Sequence, residues 1–306
     1  MLLRFSLLIW LLRPFFQPIT VSAFASLHPS IRTFALANSA ALNVEVIGRC
    51  LDGFPDKQFI VHIARHGIII ADPLYPCAPF DERNSRSCIR HQVPLFDITH
   101  KSMATGRYFV PPRDLRSQHV HQLACIFNPA TNKYREVHNL SKPLNGNVND
   151  CTRYISYRWC RMDNIAKRIR HNMWGCRFDV TDYYRHFCVS HADWHLLAFR
   201  APLESPTGAM CEIWDTRMPF GYRPAVEIAH RMTTAIVYAI NALGIFDVFA
   251  ILDDFFKLSA PQDVAPSPDT YASICAVFEN DFRFPLNYSP HKTHPSQRSV
   301  EWSGWM

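Results

Sequence analysis

The stretch Val248-Phe249-Ala250-Ile251-Leu252-Asp253-Asp254-Phe255-Phe256-Lys257-Leu258 sets two adjacent carboxylates between two apolar runs of strand length. Its spacing predicts a hairpin whose two-residue loop is Asp253-Asp254. Such a loop ordinarily takes Asn-Gly or Asp-Gly, because a type I′ turn needs positive φ at both positions. Two aspartates bring like-charge repulsion instead, and desolvating either one beside an apolar core is costly. A divalent cation would offset both penalties. A solvent-exposed acidic turn is the alternative.

Upstream, Phe178-Asp179-Val180-Thr181-Asp182-Tyr183-Tyr184-Arg185 holds a second pair of carboxylates. Arg177–Val180 reads as a short strand ending near Asp179. There Asp179 is either a helix N-cap or a strand-end carboxylate facing the hairpin across a sheet. In the second case the two clusters could hold two Mg²⁺ ions about 3.5–4 Å apart. Mg²⁺ takes few protein carboxylates and completes its shell with water and substrate phosphates.

Between the clusters, Val226, Ala229, Met232, Ile236, Ile240 and Leu243 recur at helical spacing, and Gly244 follows as a stop. Trp194–Arg200 reads as a strand. Cys125–Phe127 and Tyr134–Leu140 read as two strands joined by the turn-rich Asn128-Pro129-Ala130-Thr131-Asn132. Downstream, Ser267-Pro268-Asp269 predicts the cap of a helix running to about Asn280, with Tyr271, Ile274, Cys275 and Phe278 on one face. Pro76–Gln92 is loop-like. The element order predicts an α+β class, an antiparallel sheet backed by helices.

These blocks fall in an informative order. Lys133-Tyr134-Arg135-Glu136-Val137-His138-Asn139-Leu140-Ser141-Lys142-Pro143-Leu144-Asn145 and Asn147-Val148-Asn149-Asp150 precede the Asp179 cluster. Arg217-Met218-Pro219-Phe220-Gly221-Tyr222-Arg223 follows it, then come the Asp-Asp hairpin, Leu286-Asn287, Lys292, Pro295-Ser296 and Glu301-Trp302-Ser303-Gly304. The series resembles the ordered motifs of reverse transcriptases over roughly residues 104–306, with a weaker likeness at Gly53-Phe54-Pro55-Asp56. Asp-Trp-His-Leu-Leu-Ala-Phe at 193–199, with Pro-Phe-Gly and Leu-Asp-Asp, most resembles retrotransposons of the DIRS group, which carry tyrosine recombinases.

The resemblance implies a right-hand polymerase's fingers and palm, with a leader or unstructured flank at 1–40 and an N-terminal extension at 41–103. It implies that Asp179, the Val180 carbonyl and Asp253 hold two Mg²⁺ (Mn²⁺ as a substitute), and that Asp254 completes the catalytic set. It further implies that Arg135 grips an incoming triphosphate and that Tyr184 excludes a ribose 2′-hydroxyl. Phe220 and Gly221 would line the nucleotide site, and Lys292 would serve the leaving pyrophosphate as a cation or general acid. The implied partners are an RNA or DNA template with its primer, and dNTPs. The chain departs from the pattern at Ile251, where an aromatic is usual, at Asn128, where a lysine is usual, and at Pro224 and Val226 before the long helix. With nothing after Met306, the expectation is an absent thumb and a truncated retroelement copy. A non-catalytic nucleic-acid-binding remnant and an RNA-templated RNA polymerase are the rivals, and Tyr184 argues against the second.

Composition agrees. Of 306 residues 48% are hydrophobic and 13% aromatic, enough for real cores, and the net charge is +6. From Lys101 to Arg200 there are 16 Lys and Arg against 7 Asp and Glu, suited either to a phosphate-rich partner or to a solvated surface. Ten cysteines at irregular spacings argue for a reduced, intracellular protein of nucleus or cytoplasm and against a disulfide scaffold. Cys77, Cys88, His91 and His100 match no zinc spacing. At the N-terminus, Arg4, the apolar run Phe5–Leu12 and Ala23-Phe24-Ala25 leave a signal or transit peptide open beside a translated flank. The run is too short to span a bilayer, so no stable membrane partner is expected. Asn139 and Asn287 would be glycan acceptors only in a secreted chain.

Overall fold

The computed structural model describes residues 27–38, 42–72, 75–129, 131–152, 165–260, 268–289 and 291–297. The leader motifs, Ser267 and the Glu301-Trp302-Ser303-Gly304 block lie outside these. The first described elements are α1 (Pro29–Asn38), α2 (Val44–Cys50), α3 (Lys57–His66), β1 (Phe80–Asp81), α4 (Arg86–Arg90) and α5 (Gln92–Ala104). There follow β2 (Tyr108–Phe109), β3 (His119–Val120), β4 (Gln122–Asn128), β5 (Lys133–Asn139), β6 (Trp174–Asp179), β7 (Ala198–Pro202) and β8 (Met210–Asp215). The last are α6 (Ala225–Ala242), β9 (Val248–Ile251), β10 (Asp254–Ser259), α7 (Pro268–Ala276) and β11 (His294–Gln297). The class is mixed α+β. Among the described residues no helix is long and apolar enough to cross a membrane.

The chain divides into two discontinuous units. The first takes Met1–Ala40, His66–Tyr154 and Phe187–Ala225; the second takes Ala41–Arg65, Ile155–His186 and Val226–Met306. Residues 41–103 therefore contribute to both.

The first unit is built on a five-stranded sheet of order β1-β3-β7-β8-β2, with β4 and β5 as a separate hairpin. The sheet is not purely antiparallel as expected: β1 pairs β3, and β3 pairs β7, in parallel. Strands of two residues carry no readable alternation, so this pairing leaves no trace in the sequence. The strand expected at Trp194–Arg200 starts four residues late. His191–Leu197 winds as a 3₁₀ turn instead, because the buried Asp193 carboxylate accepts the Ile70 amide at 2.7 Å and Trp194 Nε1 donates to the Val189 carbonyl. Within 76–92, expected as loop, Ser85 caps α4 by accepting the Ser87 amide. In the expected N-terminal flank, α1 sets Phe34 edge-on against Phe109 and Trp194.

The second unit holds a four-stranded antiparallel sheet of order β11-β6-β10-β9. Its interior is aromatic: Phe178 on β6 and Phe255 on β10 both meet Phe278, with centroids 5.9 and 4.7 Å apart. The helix expected to reach Asn280 is α-helical only to Ala276, and Val277–Phe282 widens into a π turn. Along α6 the buried stripe is Ile228, Ala229, Met232, Ala235, Ile236, Ala239 and Ile240, while Leu243 lies past the helix end and is 58% exposed. Burying an aliphatic side chain contributes about 1.5–3 kcal/mol, so this stripe is a main tether of α6.

Candidate active site

The hairpin register differs by one residue from the expected loop. Asp254 already belongs to β10, pairing with Ile251 on one side and Asp179 on the other, so the turn is Leu252-Asp253. Leu252 takes φ 55°, the left-handed region that a branched residue rarely enters. Its carbonyl accepts Thr233 Oγ1 at 2.7 Å, and the Val180 amide donates to the Asp253 carbonyl at 2.9 Å. Tyr183 Oη donates to the Ala229 carbonyl at 3.1 Å and lies 3.0 Å from Thr233 Oγ1. The turn is thus anchored to α6 and to the end of β6 at once.

Around Asp179 three chain segments meet. Its amide donates to Thr293 Oγ1 at 3.0 Å, and its carbonyl accepts the Asn287 amide at 2.8 Å. Its carboxylate accepts Lys292 Nζ at 2.8 Å and Asn287 Nδ2 at 3.3 Å. Asp254 accepts both Nε and Nη2 of Arg177 at 3.0 Å, a fork of two parallel bonds. Among the described residues no such fork holds Asp253. Burial pushes its carboxyl above the ordinary value, the negative charges of Asp179 and Asp254 push it further, and a backbone hydrogen bond and Lys292 oppose them.

Asp179, Asp253 and Asp254 are therefore brought together, with Val180 and Lys292 beside them. Hard oxygen donors around a carboxylate that is costly to ionise fit a divalent cation, whose charge would reverse that cost. Among the described residues no three or more His, Cys, Asp or Glu side chains are gathered to hold a metal ion. Asp179, Asp253 and the Val180 carbonyl are two carboxylates and a carbonyl, which suits Mg²⁺ completed by water and phosphates. The cysteine–histidine group does not assemble. The Cys77 and Cys88 thiols donate to the Gly146 and Leu123 carbonyls, His91 packs on Tyr134, and His100 bonds the Leu203 carbonyl.

Tyr184 is half-buried, five residues after Asp179, its ring edge-on to the buried Tyr183. The other expected nucleotide-binding residues belong to the first unit. Arg135 stands exposed on β5 opposite Ile126. Phe220 is 47% exposed. Gly221 takes φ 104°, and a Cβ there would lie 2.1 Å from the His138 carbonyl oxygen, so only glycine fits.

Three positioning groups take roles that the sequence motifs do not give them. Buried Asn149 donates to the Gly221 carbonyl and Ser141 Oγ and accepts the Arg223 amide, tying the Phe220-Gly221 loop to the end of β5. Asn287, noted as a glycan acceptor, is spent on Asp179. Arg177 was legible only as a charge within an apolar strand, two residues from Asp179 and hence on its face.

The chain superimposes on the crystal structure of native prototype foamy virus protease-reverse transcriptase with a TM-score of 0.53 and 14% sequence identity. The fold is reverse transcriptase-like. The likeness covers 73% of this chain and 26% of the viral one, so the chain spans about a quarter of that protein's length. No protein family and no curated protein matches the sequence.

Proposed function

We propose that this chain is the fingers-and-palm part of an RNA-directed DNA polymerase from a retroelement, related to the DIRS group. The observation that carries the reading is the pairing of Asp254 with Asp179 across β10 and β6, beside an Asp253 held close enough to be disfavoured by both charges. A strand end and a hairpin, far apart in sequence, set Asp179 opposite Asp254, and two-metal transfer to a primer would draw on carboxylates placed in this way.

Two bound Mg²⁺ ions would lower the pKa of a primer 3′-hydroxyl and stabilise the departing pyrophosphate. Asp179, the Val180 carbonyl and Asp253 would hold them. Asp254 adds a fixed negative charge. Lys292, 2.8 Å from Asp179 and 44% exposed, can turn from the carboxylate towards a phosphate. Tyr184 would exclude a 2′-hydroxyl and so favour dNTPs, and Arg135, Phe220 and Gly221 keep the nucleotide roles the resemblance assigns them. The test is primer extension on an RNA template with Mg²⁺ or Mn²⁺. Extension abolished by Asp253→Asn supports the reading; none under any divalent cation sinks it.

One observation favours a second reading, a non-catalytic nucleic-acid-binding remnant. Lys292 and Arg177 already neutralise Asp179 and Asp254 from within. A chain that binds primer-template but no Mn²⁺ would be that remnant.

A further inference from the structure

We propose that Arg177 is a positioning residue that orients Asp254 beside Asp179 and holds the Lys292 loop against the site. The inference rests on the polymerase reading above.

Side chains two apart on a strand share a face, so Arg177 and Asp179 look the same way from β6. Arg177 lies opposite Phe256 and Asp179 opposite Asp254, so the guanidinium reaches its carboxylate along the diagonal. That fork occupies both oxygens of Asp254, at side-chain exposures of 11% and 13%. A third donor, Nη1, bonds the His291 carbonyl at 2.8 Å. His291 holds φ 66° immediately before Lys292, whose Nζ rests on Asp179. One guanidinium therefore links the hairpin that carries Asp253 with the loop that carries Lys292.

The fork meets both oxygens of Asp254 and so fixes how that carboxylate faces Asp179 across the two strands. Lysine could supply the charge but not the fork, and could not reach Asp254 and the His291 carbonyl together.

Mn²⁺ binding to the full chain, followed by electron paramagnetic resonance, tests this without requiring turnover. Arg177→Met is expected to weaken Mn²⁺ binding on the order of 10- to 100-fold, the usual loss when a group supporting a metal ligand is removed. Arg177→Lys should recover only part of it. Since Arg177→Met strands a poorly solvated Asp254 and could unfold the chain, the double variant Arg177→Met/Asp254→Asn removes both charges. It should fold and still bind Mn²⁺ weakly. Wild-type affinity in the folded double variant would overturn the role of Arg177. Asp179→Asn and Asp253→Asn serve as references. If they lose Mn²⁺ while the double variant keeps it, the clamp alone is wrong. If they too bind as wild type, the metal reading fails and the clamp falls with it.

Discussion

Asp215 in the first unit and Asp253 in the second are both aspartates pressed into apolar surroundings, and they are treated in opposite ways. Asp215 is fully buried. One of its oxygens accepts the Arg217 amide at 2.9 Å and the other lies 3.5 Å from His138 Nε2. His138 Nδ1 is in turn 2.7 Å from His121 Nε2, and burial, with His138 next, drives His121 well below its ordinary value. Asp253 instead faces two like charges, opposed by Lys292, whose side chain is already bonded to Asp179. A carboxylate set away from like charges, with a backbone amide to accept, is part of the architecture. One kept beside its own kind is disfavoured until something positive arrives, the usual condition of a ligand site.

The widest break in this comparison should come from Asp179. Asp179→Asn is expected to lower Mg²⁺-dependent primer extension on the order of 10³-fold or more, while far-UV circular dichroism stays native. Retained extension would place the chemistry elsewhere. Smaller, but specific, is the nucleotide preference. Tyr184→Ala should relax discrimination between dNTP and rNTP on the order of tenfold or more in kcat/KM, with Mn²⁺ affinity unaltered. An unchanged ratio would remove the steric role.

On the architectural side, Asp215→Ala leaves the Arg217 amide without its acceptor. It should cost about 1–3 kcal/mol in urea denaturation with no change in Mn²⁺ binding. Any loss of Mn²⁺ there would blur the distinction between the two aspartates.

The smallest expected effect is one of pH. Asp253 titrates above the ordinary carboxylate value when folded, so the folded chain keeps a proton that the unfolded chain has released. Without divalent cations, stability should therefore fall as pH rises from the usual carboxylate range through the folded value, and stay lower above it. Glu227, pushed by burial from 4.5 to about 7, adds a fall of the same sign over that window. At neutral pH, Asp253→Asn should raise the metal-free Tm by about 1–3 °C and abolish stabilisation by Mg²⁺. A lowered Tm would mean that Asp253 is satisfied after all.

Much of this was legible because it is local. The α6 stripe, the β4–β5 hairpin and the apolar runs around Asp253 each announce themselves by period. What escaped is what tertiary structure decides. No propensity places Leu252 in the left-handed region, so the loop was read one residue late. Arg177 looks like any surface cation until β10 is set beside β6. Asn149 acts on Gly221 across 72 residues. The helix over Arg86–Arg90 is too short and too charged for its pattern to rise above a loop.

The backbone at His291 has a consequence for any attempt to improve this protein. Its side chain is exposed, yet its φ of 66° costs roughly 1–2 kcal/mol for a residue with a Cβ. A selection for heat tolerance alone should therefore favour glycine or asparagine at 291, since no buried contact is lost. It would do so by loosening the one peptide that carries Lys292 to Asp179. Robustness and the placing of Lys292 would pull this position in different directions.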